Sequence, residues 1–444
     1  MADFESRSAD WLSFSEALQA VLKHAPPLPS SPDPCRLSEI DPTHGPALAR
    51  NVLAPATLPP LPTSAMDGYA LRQVGLDDEG ATGGPARTLP VVGRSRPGYP
   101  YSGSLPEGTA IRIMTGAHLP EGANTVVPVE DTDREDGEED QVVIHTLPSP
   151  GRYIRPAGEE MNEGDCLGRA GEELSPPLLG LLASAGIHQV HLHRRPRVGL
   201  LVTGDELIPF RELGERFKEI REGKMRGDTL SPVLPSLIRG AGGIPLPPMQ
   251  AGDDPEALGD SLKELAEEAD LILTTGGASM GETDLLKRTL DGMAYRTVFW
   301  RIRMRPGSPV SLGLLETGQG IDRRHVPHLA LPGNPVSAMV AFLLLGRPAI
   351  RRLGGHQALH LPQVRARATE AMSGHERLTL FPRLRLSQRP DGDWEAYSTG
   401  SQSSGVTASV AEAQGLGVLP PGSPEVAPGD RIPVILLPSG GWLR

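Results

Sequence analysis

A glycine-rich segment of the sequence has the residue types that bind phosphate. In TTGGASMGETD, Thr274 to Asp284, the glycines permit positive φ angles and let backbone N–H groups approach an anion closely. The terminal carboxylate suits a divalent cation that bridges to phosphate oxygens. An ordinary tight turn is the alternative for this segment taken alone. Its candidate residues are Gly276, Gly277, Ser279, Gly281 and Asp284.

Carboxylates recur at further positions that are candidates for metal binding. The TGDEL segment contains Asp205 and Glu206, and Asp228 and Asp253 follow later in the chain. Magnesium prefers oxygen ligands of this kind, whereas the alternative is that these acids are solvated surface residues. Asp254 precedes a proline and an apolar pattern, so we predict that it caps a helix.

Positive charge is concentrated in FWRIRMRPGSP, Phe299 to Pro309, where Arg301, Arg303 and Arg305 alternate. Alternate residues of a strand share one face, so this pattern predicts a cationic stripe. The stripe is either a solvated strand face or a clamp for an oxyanion.

The segment LPGNPVSAMV, Leu331 to Val340, joins a strand to a helix. Asn334 and Pro335 fix the turn, and Ser337 falls in the first helical turn. Free N–H groups there favour an anion, and a simple capping turn is the alternative.

The elements that must position these residues alternate between apolar runs and helices after Arg197. Such alternation predicts a parallel-rich sheet covered on both faces, with ligands bound at the carboxyl ends of its strands. The loops together predict a pocket for a phosphorylated, metal-associated ligand, without separating nucleotide from pterin or hydrolase from transferase. The predicted strands are Val198 to Val202, Leu271 to Leu273 and His328 to Leu331, and the predicted helices are Leu230 to Arg239, one that starts at Asp254 and Pro255, and Val336 to Leu345.

The outer parts of the chain differ from this α/β pattern. Leu12 to His24 has the spacing of an amphipathic helix, with Ser15 as its expected cap. Residues 59 to 147 are rich in strand and turn signals, and the part after residue 358 predicts a small separate barrel or sandwich.

Composition excludes several classes of protein. The formal net charge is -12 over 444 residues, which does not favour binding to nucleic acid or anionic lipid. The two cysteines, Cys35 and Cys166, form no metal-binding spacing and suit a reducing compartment. No signal peptide and no membrane-spanning segment are predicted. We therefore expect a cytoplasmic protein.

Six motifs, in order along nearly the whole chain, resemble those of the MoeA family, which includes the E domain of gephyrin. The motifs are SAMDGYA at Ser64 to Ala70, RIMTGAHLPEGANTVVPVE at Arg112 to Glu130, IRPAGEEMNEGD at Ile154 to Asp165, RPRVGLLVTGDEL at Arg195 to Leu207, GGASMGETD at Gly276 to Asp284, and LPGNPVSA at Leu331 to Ala338.

The resemblance implies a multidomain α/β plus β protein that forms a homodimer. Its domains would be a discontinuous linker domain (1–58 and 147–194), an inserted strand-rich domain (59–146), a molybdopterin-binding α/β domain (195–357) and a C-terminal β-barrel domain (358–444). The inserted domain of one subunit would bring Asp67 and Thr115 to the pocket of the other.

The resemblance also implies a reaction, in which adenylyl-molybdopterin and molybdate give molybdenum cofactor and AMP in the presence of Mg²⁺. It assigns the metal to Glu206, Asp253 and Asp284, with Asp205 and Asp228 nearby, and it places Arg301 and Arg305 where the family usually has lysines. It assigns molybdate to Arg305, Ser308, Ser337, Arg377 and Ser404. The glycine-rich loop and Asn334 complete the substrate-binding set.

The sequence departs from the family pattern at three places. The common KPGKP is RPGSP here, so Ser308 replaces a lysine and removes one positive charge from the oxyanion site. The asparagine of the DSN or DTN motif is Leu230, and the ANG motif near the C-terminus has Gln414 in place of asparagine.

These departures keep other functions open. The loss of a lysine at Ser308 motivates a carrier that binds molybdopterin without turnover. A scaffold role, as for the gephyrin E domain, has less support because no long partner-binding linker is present. Tungstate has the same shape as molybdate and fits the same chemistry.

Overall fold

The computed structural model describes residues 11–41, 45–73, 87–133, 140–276, 285–423 and 425–438, apart from the side chain of Ile321. The chain divides into two compact units, one of Met1–Arg50, Ala170–Pro176 and Gln189–Arg444 and one of Asn51–Arg169 and Pro177–His188. The four domain boundaries expected from the sequence stay predictions. Among the described residues, none of the helices combines the length and the apolar composition that a membrane span requires.

The N-cap of the N-terminal helix α1 (Phe14–Lys23) lies two residues before the expected one. Ser13, not Ser15, is the N-cap, and it forms a reciprocal capping box with Glu16. The Ser13 hydroxyl accepts the Glu16 N–H at 3.2 Å, and the Glu16 carboxylate accepts the Ser13 N–H at 2.8 Å. A serine followed by glutamate three residues later is the signal that identifies this cap.

The second unit is built on a five-stranded sheet. Its strands are β1 (Gly68–Leu71), β2 (Arg87–Ser95), β3 (Ala110–Ile113), β4 (Thr125–Pro128) and β5 (Gln141–Ile144), in the spatial order β4-β1-β3-β2-β5. Two short antiparallel pairs, Thr63–Ser64 with Ile154–Arg155 and Val52–Leu53 with Cys166–Gly168, flank it. Helix α2 (Pro176–Ser184) packs with Ala54 and Met161.

The first unit contains a seven-stranded sheet within the described residues. Its strands are β6 (Arg197–Thr203), β7 (Ile244–Pro245), β8 (Met249–Ala251), β9 (Leu271–Thr275), β10 (Tyr295–Trp300), β11 (Ser311–Thr317) and β12 (Arg324–Leu331), in the order β7-β6-β9-β12-β11-β10, with β8 also paired to β6. Strands β6, β8, β9 and β12 are parallel, and β11 and β10 extend the sheet in antiparallel fashion. The three predicted strands are confirmed.

Helices cover both faces of this sheet, as predicted. They are α3 (Phe217–Arg221), α4 (Leu230–Gly240), α5 (Pro255–Glu268), α6 (Leu285–Asp291), α7 (Pro335–Ala341) and α8 (Arg347–Leu353). Leu200 of β6 points to the core formed with α4, α7 and α8, whereas Leu201 points to the core formed with α5 and α6. This alternation is the two-residue period of a strand that is buried on both faces.

The helix predicted at Val336 to Leu345 is interrupted. Helix α7 passes into a π-helical turn, Phe342–Gly346, before α8 begins. Pro348 lies in the first turn of α8 and has no N–H for a bond to the preceding turn, which favours a wider turn there.

The C-terminal region forms the predicted barrel. Strands β13 (Gln363–Ala368), β14 (Arg383–Gln388), β15 (Trp394–Ser398), β16 (Gly415–Gly417) and β17 (Arg431–Leu436) close in the order β13-β15-β14-β16-β17. A four-residue helix, α9 (Ala408–Ala411), precedes β16. Phe381 and Leu416 of this region share the core of the α/β sheet, so barrel and sheet pack as one unit.

Candidate functional site

Three strand ends meet at one edge of the α/β sheet. The Thr203 hydroxyl, at the end of β6, donates to the carbonyl of Thr275 at 3.0 Å. Gly276 has a φ of +90°, and a Cβ placed on it would lie 2.7 Å from the Thr203 Oγ1. A Cβ on Gly333 would lie 3.2 Å from the Cα of Gly276. Glycine is therefore required at this junction, because a side chain has no room there.

The strand-end cavity, of 1060 Å³, opens above this junction. Glu206 and Asp253 line it with exposed carboxylates, and Gly276 and Asn334 line it from the other two strand ends. Its remaining walls come from the segments around Ile220 to Leu230, Leu285 to Arg288 and Gly405 to Thr407.

The acidic residues predicted for this edge form different hydrogen bonds. Asp205 accepts the backbone N–H of Asp253 at 3.0 Å and so ties the end of β6 to the loop after β8. Asp228 is 3% exposed, and its Oδ1 accepts the N–H groups of Leu230 and Ser231 at 3.0 Å each. It therefore caps α4, although it also lines the strand-end cavity. Asp254 caps α5, as predicted, by accepting the N–H of Ala257.

Glu206 and Asp253 are the two predicted metal ligands that share a cavity within the described residues. Glu206 and Asp253 line the same cavity, and no salt bridge neutralises either of them in the described part of the chain. Magnesium is usually held by one or two carboxylates together with phosphate oxygens and water. Among the described residues, no group of three or more acidic, histidine or cysteine side chains is arranged for a metal.

A second cavity, the barrel-side cavity of 890 Å³, lies between the α/β sheet and the barrel. Five of its lining residues were predicted as substrate-binding from the sequence, namely Arg305, Ser308, Asn334, Ser337 and Ser404. Asn334 lines both cavities, and its amide donates to the Ser404 hydroxyl at 3.3 Å. The two cavities therefore adjoin at Asn334.

Sequence reasoning missed Arg383, which is the most deeply buried cation of the barrel-side cavity. The side chain is 1% exposed, and its guanidinium donates to the Ser409 hydroxyl at 3.1 Å and to the carbonyls of Ser401 and Ser403 at 3.3 and 3.1 Å. Burial lowers the pKa of Arg383, but an arginine stays protonated in proteins. Its hydrogen-bond acceptors are neutral, and no carboxylate among the described residues forms an ion pair with it.

Arg377, the arginine selected from the family resemblance, does not line the barrel-side cavity. Its backbone N–H donates to the His375 ring at 3.1 Å. Glu370 lines the cavity and is held by the N–H of Ser398 at 2.7 Å. Among the described lining residues, the charged side chains are thus Arg305, Arg383 and Glu370.

The cationic stripe predicted for Arg301, Arg303 and Arg305 is wrong at Arg301. The strand comprises Ile302–Arg305, and Arg301 precedes it with a φ of 77°. The Arg301 guanidinium lies 5.7 Å from the centre of the Trp11 ring. Arg303 faces Glu16 at 3.9 Å, which leaves Arg305 as the member that lines a cavity.

Ser308, at the position where the family usually has lysine, is engaged in its own turn. Its hydroxyl donates to the carbonyl of Met304. This serine therefore stabilises the turn after Arg305 and adds no charge to the barrel-side cavity.

Asp67 and Thr115 lie together in the second unit. The Asp67 carboxylate accepts the Thr115 N–H at 2.7 Å and the Thr115 hydroxyl at 2.9 Å. The backbone hydrogen bond is the main reason that the pKa of Asp67 is lowered. An exposed carboxylate is thus held ionised in one orientation. Four other predicted residues, Gly277, Ser279, Gly281 and Asp284, lie outside the described residues.

Family models match three consecutive parts of the chain. The MoeA N-terminal region (domain I and II) matches residues 12–186, a probable molybdopterin binding domain matches residues 199–352, and the MoeA C-terminal region (domain IV) matches residues 365–437.

The chain is also similar to individual proteins. It is 35% identical over 315 residues to a molybdopterin molybdenumtransferase of Haemophilus influenzae, covering 71% of this chain and 72% of that protein. It is 34% identical over 396 residues to molybdopterin molybdenumtransferase 2 of Mycobacterium tuberculosis, covering 88% and 92%. The crystal structure of the molybdopterin biosynthesis moeA protein from Pyrococcus horikoshii has the same fold, with a TM-score of 0.76 at 23% identity over 96% of this chain and 100% of that one.

Proposed function

Because the chain belongs to the MoeA family of molybdopterin molybdenumtransferases and is an enzyme of molybdenum cofactor biosynthesis, we propose that it transfers molybdenum from molybdate to adenylyl-molybdopterin and releases AMP. The observation that supports this most strongly is the pair of adjoining cavities, one lined by Glu206 and Asp253 and the other by Arg305 and Arg383. A substrate that extends through both would meet a metal-binding end and an oxyanion-binding end.

Molybdate, the second substrate, fits the barrel-side cavity. It is a tetrahedral dianion, so it requires cations and hydrogen-bond donors. Arg305 and Arg383 supply charge and N–H donors, and Ser337 and Ser404 add hydroxyl groups. Charge-assisted hydrogen bonds from guanidinium to an oxyanion are about twice as strong as neutral ones.

The adenylate fits the strand-end cavity, where Gly276 lets backbone approach a phosphate closely. Glu206 and Asp253 would hold Mg²⁺ there, and family resemblance adds Asp284 as a third ligand. When bound, Mg²⁺ supplies positive charge that offsets the charge developing as the pyrophosphate bond breaks. Asp205 fixes the position of Asp253, and Asp228 fixes the start of α4.

The proposed reaction is tested by anaerobic incubation of the purified protein with adenylyl-molybdopterin, Mg²⁺ and molybdate. We expect AMP and molybdenum cofactor to form in equal amounts. A carrier that binds molybdopterin without turnover would retain the adenylylated ligand and release no AMP. That outcome, with folded protein and saturating substrates, would refute the transferase function.

We also propose a homodimer in which each cavity pair receives Asp67 and Thr115 from the partner subunit. The orientation of the Asp67 carboxylate by Thr115 supports a role in a site rather than in solvent. The test mixes two impaired variants, Asp67→Asn and Arg383→Ala, under conditions that allow subunit exchange and at a molybdate concentration far below the half-saturating value expected for Arg383→Ala. Sites shared between subunits regain about a quarter of wild-type activity, since half of the dimers are mixed and each has one intact site. No recovery from well-exchanged dimers would refute the shared site.

A further inference from the structure

Two arginines of the strand-end cavity have no assigned partner. Arg226 and Arg288 both line this cavity, and within the described part of the chain neither side chain forms a salt bridge or a hydrogen bond. Other arginines of the same unit are engaged: Arg194 pairs with Asp270, and Arg324 donates to backbone carbonyls. The cavity therefore holds two guanidinium groups that no other described residue engages.

The two arginines are positioned by different elements. Arg226 lies in the short strand Arg226–Gly227, which pairs in parallel with Leu207–Ile208, and its N–H donates to the carbonyl of Glu206 at 2.8 Å. Arg288 lies on α6, whose Leu286 and Leu290 pack into the core shared with α5. Both backbones are thus fixed relative to the sheet, while the charged groups remain exposed.

The same cavity also contains carboxylates that do not neutralise these arginines. Glu206 and Asp253 line it with Arg226 and Arg288, yet no salt bridge joins the acids to the arginines. Groups of opposite charge that share a cavity without pairing are suited to a ligand that supplies both an anion and a cation. A phosphate with its magnesium ion is such a ligand.

We propose that Arg226 and Arg288 form a phosphate-binding pair for the adenylate part of the substrate, separate from the carboxylates that would hold its metal. This inference rests on the proposed function for the identity of the substrate. Guanidinium groups match the geometry of phosphate oxygens and stay charged at all physiological pH values. Ile220, Met225 and Leu285 also line this cavity and supply apolar surface against which a planar ring would pack.

The test measures binding of AMP, and of adenosine as a ligand without phosphate, by titration calorimetry in the presence of Mg²⁺. Arg226→Ala and Arg288→Ala are each expected to weaken AMP binding roughly tenfold or more, because each removes charge-assisted hydrogen bonds. Adenosine binding should stay the same. Arg221→Ala is the matched control, since Arg221 is exposed on the same segment as Arg226 but does not line the cavity.

Three outcomes would overturn the proposal: wild-type protein that does not bind AMP, unchanged AMP affinity in both variants, or equal weakening of AMP and adenosine. A thermal melt of each variant shows that it is folded. AMP binding that depends on both arginines would support the phosphate site even if the protein released no AMP from adenylyl-molybdopterin. Conversely, turnover with arginine-independent AMP binding would leave the transferase function intact and refute the pair alone.

Discussion

Replacing Arg383 with alanine is expected to impair molybdate use and to lower stability, each by a predictable amount. The guanidinium makes three hydrogen bonds, and bonds that involve a charged group are worth about 1.5–3 kcal/mol each. The cost of burying the charge offsets part of this, so Arg383→Ala should lower the free energy of unfolding by roughly 2–4 kcal/mol. The barrel-side cavity also loses its most buried charge. Charge-assisted bonds are worth about 1.5–3 kcal/mol, so the molybdate concentration for half-maximal rate should rise about ten- to a hundredfold.

The assay follows AMP release against molybdate concentration, with unfolding in urea measured on the same preparations. Arg383→Lys retains the charge but loses the planar set of guanidinium N–H donors. Its molybdate requirement should therefore lie between those of the wild-type protein and Arg383→Ala. Arg385→Ala is the matched control, because Arg385 is exposed two residues later on β14. A folded Arg383→Ala protein with an unchanged molybdate requirement would refute the assignment of molybdate to this cavity.

Three further predictions concern single positions. Gly276→Ala should lower the free energy of unfolding by about 1–3 kcal/mol, because Gly276 has a positive φ and a Cβ there would meet Thr203. Gly240→Ala is the control and should not lower it, since the space around Gly240 is open. Equal losses for the two variants in urea unfolding would contradict this reasoning. Ser308→Lys should lower the half-saturating molybdate concentration about fivefold, from roughly 1 kcal/mol of added attraction, and an unchanged requirement would count against an oxyanion there. Burial lowers the pKa of His328 to about 4 in the folded protein, whereas the ordinary pKa of histidine is about 6.5. Below pH 6.5 the unfolded chain therefore binds a proton that the folded protein does not, and the free energy of unfolding decreases as the pH falls towards 4. Between pH 7.5 and 5 the loss should be about 2 kcal/mol and should be absent in His328→Gln; identical pH slopes in urea unfolding would refute it.

The parallel part of the α/β sheet could be predicted because its strands are apolar on both faces. Residues such as Leu200 and Leu201 are both buried, and each strand ends in glycine with a polar residue. The rule that ligands bind at carboxyl ends then identified the edge with Glu206 and Gly276. The antiparallel strands β10 and β11 were not predicted, because their pairing depends on contacts across the sheet. Tyr295, for example, reaches over Gly313 to His328.

The barrel-side cavity could be predicted only in part. Arg305 and Ser337 follow from local motifs, whereas Arg383 belongs to a strand with alternating arginines that looks solvated in sequence. Its burial depends on the loop that contains Ser401 and Ser403, which is distant in sequence. For Arg301 the sequence predicted too much. The alternating arginines predicted that it shares a strand face with Arg303 and Arg305, but its left-handed backbone places it before the strand begins. Sequence spacing does not encode such long-range or local backbone effects.

The most direct test of the proposed site is to locate molybdenum by anomalous diffraction in crystals soaked with molybdate, AMP and Mg²⁺. We predict one molybdenum peak in the barrel-side cavity beside Arg305, Arg383 and Ser337, with AMP in the strand-end cavity. A peak among Glu206 and Asp253, or no peak at saturating molybdate with AMP bound, would contradict the division of the substrate between the two cavities.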